Sequence, residues 1–245
     1  MRAELFGVDL DLLNMDQSVQ RCVGLIESGS PAQHVVINAG KVVMMHDLPR
    51  LREVVAGCDM VNADGQSIVW VGRMLGLPVP ERVAGIDLMV RLLAEAATRG
   101  WPVFFLGARR HVLDEFLVRV REQYPGLLIV GAHDGYFDDP GRIAGLIRDS
   151  GARLVLVGIS SPLKEFFLSE QIGAMGPVLA MGVGGSFDVI AGHVTRAPRW
   201  MQAAGLEWLH RFLREPGRLW KRYLIGNARF LAIAFDEWRA RRWGA

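Results

Sequence analysis

The residues best suited to chemistry gather where apolar runs end in glycine or a small polar residue. Val178 to Met181 runs into Gly182-Val183-Gly184-Gly185-Ser186-Phe187, with Asp188 beyond it. Cys58 to Ala63 runs into Asp64-Gly65, and His34 to Ile37 runs into Asn38-Ala39-Gly40. Open α/β sheets hold ligands outside the carboxyl ends of their strands, so these are the places to look for a site. A carboxylate such as Asp64 there suits general-base work, although on geometry alone capping the following helix is the favoured reading. Asn38 has the same two readings, a ligand-facing amide or a helix cap. Arg82, just before an apolar helix, either clamps a phosphate or pairs with Asp87. Spacing leaves all three open.

Other patterns argue against particular chemistries. Gly182 to Phe187 is G-x-G-G-x-F, with Phe187 where a dinucleotide fingerprint wants its third glycine, and it lies late in the chain. A nicotinamide or flavin enzyme is therefore disfavoured, though an oxidoreductase using this turn stays as an alternative. No G-x-x-x-x-G-K-S/T, H-E-x-x-H or G-x-S-x-G occurs, and Ser160-Ser161 reads as a turn. Asp9 and Asp11 form a D-x-D, but they alternate with Val8, Leu10 and Leu12. That is the pattern of a half-buried strand with a wet face, so no metal site is expected.

The elements that must position these residues follow from hydrophobic periodicity. A strand is expected over Leu5 to Leu12, and others over His34 to Ile37, Cys58 to Ala63, Val103 to Leu106, Leu127 to Val130 and Leu154 to Val157. Helices are expected between them. Apolar strands alternating with helices predict an α/β fold of mostly parallel sheets, in two Rossmann-like halves. Gly107, Gly131 and Gly158 stand at three successive strand ends, where a ligand can approach the backbone. The expected division is a catalytic domain over residues 1–197 and a helical appendage over 198–245.

That appendage has its own character. From Leu206 onward the chain holds nine basic and four acidic residues, a net +5 within a whole-chain charge of +2. Leu206, Leu209 and Leu213 share a helical face, and two further helical pieces are expected after Pro216-Gly217, separated at Gly226-Asn227. Arginines flanking a Trp/Phe/Leu stripe suit a helix lying in a membrane interface, or one docked on the body or on a second subunit. Homo-oligomers are expected if the apolar face is left bare. No apolar run reaches the roughly 20 residues of a membrane span, and the N-terminal stretch lacks the features of a signal peptide. Cys22 and Cys58 form neither a metal-spaced pair nor a disulfide framework, which predicts a reducing cytoplasm. No nucleic-acid module is present, and none of that partner class is expected.

Several motifs, taken in order, resemble the WecG/TagA/CpsF glycosyltransferase family (glycosyltransferase family 26). They are Asn38-Ala39, Asp64-Gly65, Glu81-Arg82-Val83-x-Gly85-x-Asp87, Phe105-Leu106-Gly107, Tyr124-Pro125-Gly126 and Gly135-Tyr136-Phe137. Ser161-Pro162-x-x-Glu165, Gly182-Val183-Gly184-Gly185-x-Phe187-Asp188, Ala191-Gly192, Arg196-Ala197-Pro198, Leu206-Glu207-Trp208-Leu209-x-Arg211 and Glu215-Pro216 complete the set.

The resemblance implies an inverting transferase that needs no metal or other cofactor. It would move a sugar from a UDP-sugar to a polyprenyl-diphosphate-linked glycan acceptor, peripherally bound at the cytoplasmic face of the membrane, in exopolysaccharide or other cell-surface polysaccharide synthesis. By the same resemblance Asp64 is the general base. Arg82, Arg211 and Arg214 neutralise the departing diphosphate, and Arg196 joins the acceptor side. Tyr136 and Asp188 contact uridine, while Asn38, Gly107, Lys164 and Gly184 line the donor site. The chain departs from the family where Thr-x-Asn-x-Glu becomes Val36-Ile37-Asn38-Ala39-Gly40 and Pro-Lys-Gln-Glu becomes Pro162-Leu163-Lys164-Glu165. The family's N-acetylmannosamine specificity therefore does not carry over, and UDP-glucose stands beside UDP-N-acetylmannosamine as an expected donor. A non-catalytic membrane-surface adaptor is the remaining alternative.

Overall fold

The computed structural model describes residues 1–203, 205–214 and 216–243. The description does not extend to the side chains of Arg199, Ala203, Arg211, Pro216 and residues 218–223. The chain opens with a hairpin, β1 (Arg2–Leu5) and β2 (Val8–Asp11), in place of the single strand expected over Leu5 to Leu12. Phe6 and Gly7, at φ +57° and +72°, turn it. Asp11 is drawn inward by Arg2 Nε, which donates at 3.0 Å, and by the Val61 N–H at 2.9 Å. Of the two acids in the D-x-D, only Asp9 lies on an exposed face.

The body then alternates as its periodicity requires. It runs α1 (Met15–Glu27), β3 (Ala32–Ile37), α2 (Ala39–Asp47), α3 (Pro49–Ala56), β4 (Met60–Ala63), α4 (Gln66–Met74), α5 (Gly85–Arg99) and β5 (Val103–Gly107). It continues with α6 (Arg110–Gln123), β6 (Ile129–His133), α7 (Pro140–Asp149), β7 (Leu154–Gly158), α8 (Leu163–Gln171), β8 (Leu179–Gly182) and the short α9 (Ser186–Ala191). The last three helices are α10 (Arg199–Ala203), α11 (Glu207–Arg214) and α12 (Pro216–Trp243).

Strands β3 to β8 form one parallel sheet in the order β4-β3-β8-β7-β5-β6, so the two halves share a single continuous sheet. Successive side chains along each strand point to opposite faces, and the core divides accordingly. Phe105, Leu154, Leu156, Leu179 and Met181 pack under α1, α5, α6 and α9. Phe104, Leu106, Val155, Val157 and Ala180 pack under α7 and α8 on the other face. From β5 the chain goes to β6 on one side, then returns past it to β7 on the other. The gap between β5 and β7 is thus a topological switch point.

The tail differs from expectation. Gly226-Asn227 does not separate two helices, because α12 runs unbroken for 28 residues. A helical glycine costs about 1 kcal/mol, whereas burying a phenylalanine gains about 1.5–3 kcal/mol. Phe230 and Ala234 are buried in the body's core, Phe230 against Phe6 with ring centroids 5.8 Å apart. Arg229 makes a two-pronged ion pair with Asp47 of α2. This stretch of the appendage is a helix docked on the body. Leu206, just ahead of α11, and Leu209 within it are half-buried, but Leu213 is exposed.

Phe187 explains the missing third glycine of the fingerprint. Its ring stacks on Phe116 with centroids 4.1 Å apart and meets Phe105 edge-on at 6.0 Å. A Cβ on Gly158 would come within 2.7 Å of the same ring, so the glycine is displaced to β7 and the aromatic fills the space. Phe187→Ala is expected to lower stability by about 3–5 kcal/mol, read from the denaturant midpoint at unchanged m-value.

Candidate active site

Parallel strands deliver their loops to one edge, and the expected site residues lie along it. In sheet order that edge presents Asp64 (after β4), Asn38 (after β3), Gly182 (β8), Gly158 (β7) and Gly107 (β5). Four strand spacings separate β4 from β5, roughly 19 Å, which suits an extended ligand rather than a single sugar ring.

At the β3/β4 end, both open questions receive an answer. Asn38 is the N-cap of α2, its Oδ1 accepting the Lys41 N–H at 3.0 Å. Asp64 is not the cap of α4, since Gly65 occupies that position. The Asp64 N–H donates to the Ile37 carbonyl at 2.8 Å, which extends the β3–β4 pairing by one residue and holds the carboxylate at the lip. Space for a Cβ on Gly65 would end 3.4 Å from Asn38, and on Gly85 would end 3.8 Å from Asp64 Oδ2. Asn38, Asp64 and the start of α5 therefore enclose one corner.

Beneath that corner lies a buried ion cluster. Lys41 Nζ reaches Glu165 at 2.5 Å, and Lys164 Nζ contacts the same carboxylate oxygen at 3.0 Å and Ser161 Oγ at 2.5 Å. A Cβ on Gly182 would meet the Lys164 stem at 2.7 Å, so β8 must end in glycine to admit it. Burial works against ionised Glu165, but the ammoniums of Lys41 and Lys164 prevail and hold its carboxyl down to about 2. Lys164 is lowered to about 8, chiefly by burial and then by the neighbouring Lys41 charge. Lys164 is thus turned inward, sealing the floor of the lip, rather than extended across it.

The β5/β7 switch point gathers the residues expected around uridine. Gly107 has φ +101°, and a Cβ on it would lie 2.7 Å from the Gly158 carbonyl carbon. A side chain at position 107 would collide with the Gly158 backbone, so this approach requires glycine at Gly107. The Gly135 N–H donates to the Ala108 carbonyl at 2.7 Å, bringing in the loop that carries exposed Tyr136. Arg109 Nε donates to the Tyr136 hydroxyl at 3.4 Å, and the charge of half-buried Asp188 acts on Arg109 as well. Gly184, at φ +53°, leads into α9 and Asp188.

The arginines fall into a different pattern from the simple pairing considered above. Arg82 pairs with Glu207 of α11, not with Asp87. Asp87 is taken by Arg196 in a bidentate contact, both distances 2.6 Å, and Arg196 also reaches Glu207 at 3.3 Å. The Asp87 hydrogen bonds hold the Arg196 pKa above its ordinary value. Two cations and two anions thereby lock α11 to the start of α5. Arg214 lies exposed on the last turn of α11, and the Arg211 side chain is outside the described residues. Gly205 packs against Gln66, the first residue of α4, so the same segment also leans on the Asp64 turn.

Residues that sequence reasoning overlooked include Lys41, Arg109 and Glu207. A lysine inside the apolar run Lys41 to Met45 is a signal of buried charge, although its partner Glu165 lies 124 positions away. Ser161, read as a turn residue, joins the cluster by donating to Glu165 at 2.9 Å.

The whole sequence matches the model of the "Glycosyl transferase WecG/TagA/CpsF family" over residues 3–244. The chain belongs to that family. It is a glycosyltransferase. A relative from Bacillus spizizenii is 39% identical over 176 residues, 72% of this chain and 68% of its own. That relative is named as an N-acetylglucosaminyldiphosphoundecaprenol N-acetyl-beta-D-mannosaminyltransferase.

In this family member the ion cluster makes a direct stability claim. The folded-state pKa of Glu165 is below its ordinary value of 4.5, so its contribution is complete above about 4.5 and is lost as pH falls toward about 2. Glu165→Gln leaves two buried ammoniums without their carboxylate. It should lower stability by about 3–5 kcal/mol at pH 7 and flatten the acid-unfolding profile between those pH values.

Proposed function

We propose that this glycosyltransferase moves a hexose from a UDP-sugar to a polyprenyl-diphosphate-linked glycan, with inversion and without a metal ion, in cell-surface polysaccharide synthesis. The placement of Asp64 carries this reading: a half-buried carboxylate at a parallel-strand terminus, one position ahead of the α4 N-cap Gly65, on the same edge as the switch point. The named activity of the Bacillus relative supports the acceptor class.

In the reaction, the acceptor hydroxyl oxygen attacks the anomeric carbon as Asp64 takes its proton. The bond from that carbon to the donor phosphate oxygen breaks, and UDP leaves with the electron pair. Holding the two reactants in line supplies much of the rate, and the base adds typically 10²–10⁴-fold. The uracil and ribose lie at the switch point by Gly107, Tyr136, Gly184 and Asp188, and the sugar lies toward Asn38 above Lys164. Arg82, Arg196 and Arg214 face the diphosphates. Arg82 and Arg196 are held by Glu207 and Asp87 until a diphosphate competes for them, which keeps two cations pre-positioned without leaving them unpaired. The basic and aromatic face of α12 meets the inner membrane surface, where such an acceptor resides. No helix among the described residues is long and apolar enough to cross a membrane.

The donor is a hexose set by Val36, Gly40 and Lys164, where the chain departs from its family. A titration with UDP-glucose, UDP-N-acetylmannosamine and UDP-glucuronate, read by thermal shift, names it through the largest stabilisation. Asp64→Asn is expected to reduce transfer by 10²-fold or more while leaving the UDP-induced shift intact. Near-normal turnover in that variant would remove Asp64 as the base.

A further inference from the structure

Beside the Asp64 turn lies an apolar groove of about 420 Å³ between α4 and α12. Ser67, Trp70 and Met74 line it from α4, and Leu231, Phe235 and Trp238 from α12. Helix α4 starts two residues beyond Asp64, and Ser67 Oγ lies 3.5 Å from the position of a Gly65 Cβ. The groove therefore begins where the proposed chemistry ends. Its large side chains stand open to solvent: Trp70 and Met74 are each 58% exposed, Leu231 64% and Phe235 56%. Contiguous exposure of this kind marks a binding surface.

We infer that this groove takes the isoprenoid chain of the lipid-linked acceptor, an inference that rests on the acceptor class proposed above. The chemistry of the walls selects this occupant. A protein partner brings about one hydrogen bond per 100–200 Å² and needs polar groups in answer. Among the described lining residues the polar side-chain groups are the Ser67 hydroxyl and the two indole N–H groups, and Ser67 sits at the Asp64 end, where the acceptor's polar head would be. The α12 border is cationic. Arg242 lies 5.2 Å over the Trp238 ring and Arg239 is exposed beside it; of the two acids there, Glu237 is paired with Arg241 and Asp236 is exposed, so the arginines outnumber the acids three to two. Such a border suits the anionic lipid surface from which a hydrocarbon chain would enter. The acceptor would then lie with its sugar at Asp64, its diphosphate at Arg82, Arg196 and Arg214, and its first isoprene units between α4 and α12.

Calorimetric titration of the full chain with farnesyl diphosphate, kept below its micelle concentration, tests this directly, with inorganic diphosphate as the head-only control. Saturable binding is expected, at least tenfold tighter than for inorganic diphosphate. Met74→Glu and Leu231→Glu, both at exposed positions, should each weaken farnesyl diphosphate at least tenfold and leave inorganic diphosphate and the UDP-induced thermal shift unchanged. Equal affinity for the two probes, or farnesyl binding indifferent to both substitutions, overturns the inference. So does a wild-type dimer, seen by light scattering, that both substitutions dissociate, because the groove is then a subunit contact. The readout needs no turnover. Groove-dependent binding without any glycosyl transfer would count against the proposed function alone, and transfer to a short-chain acceptor without groove binding would count against the groove alone.

Discussion

Two buried ammonium groups share one buried carboxylate under the carboxyl edge of the sheet, and the geometry of the lip depends on that contact. Lys41 belongs to α2, whose N-cap is Asn38, and Glu165 and Lys164 belong to α8, which follows β7. The Lys41–Glu165 ion pair joins the two halves of the chain across 124 residues. Removing three charges from water is expensive, so the cluster is a poor source of net stability. Its effect is positional: any shift of α2 against α8 strands a charge, so the corner holding Asn38 and Asp64 has one low-energy arrangement.

Much of this was legible in the sequence, for physical reasons that can be stated. Apolar runs such as Val103 to Leu106 and Leu154 to Val157 read correctly as buried parallel strands, because strands covered on both faces need no alternation. Asp64 and Asn38 were recognisable as strand-end residues, but cap and site readings differ only in where a helix starts by one residue. The structure separates them because Asn38 caps α2 and Gly65 stands at the cap of α4. The partners of Arg82 and Lys41 were out of reach, since Glu207 and Glu165 lie more than a hundred positions away and no local spacing encodes them. The unbroken α12 was hidden for a related reason. Gly226-Asn227 is a local stop signal, overruled by the tertiary burial of Phe230 and Ala234.

The division of labour along the edge follows from topology. The switch point between β5 and β7 accommodates close backbone approach through Gly107 and Gly158, whereas the β3/β4 end supplies a carboxylate and an amide. Segments after β8 fold back over that second end: the four-residue ion network of Arg82, Asp87, Arg196 and Glu207 fastens α11 there, and α12 returns to the body beside α2. The described part of the basic and aromatic tail is thus fastened to the body beside α2.

The most direct measurement is a transfer reaction in EDTA, with the wild-type chain, a UDP-hexose and a short-chain prenyl-diphosphate-linked N-acetylglucosamine, followed by NMR. UDP and a glycosylated lipid are expected in equal amounts, with the new linkage of opposite anomeric configuration to the donor. A product that retains configuration, or UDP released at the same rate without acceptor, would contradict the proposed reaction.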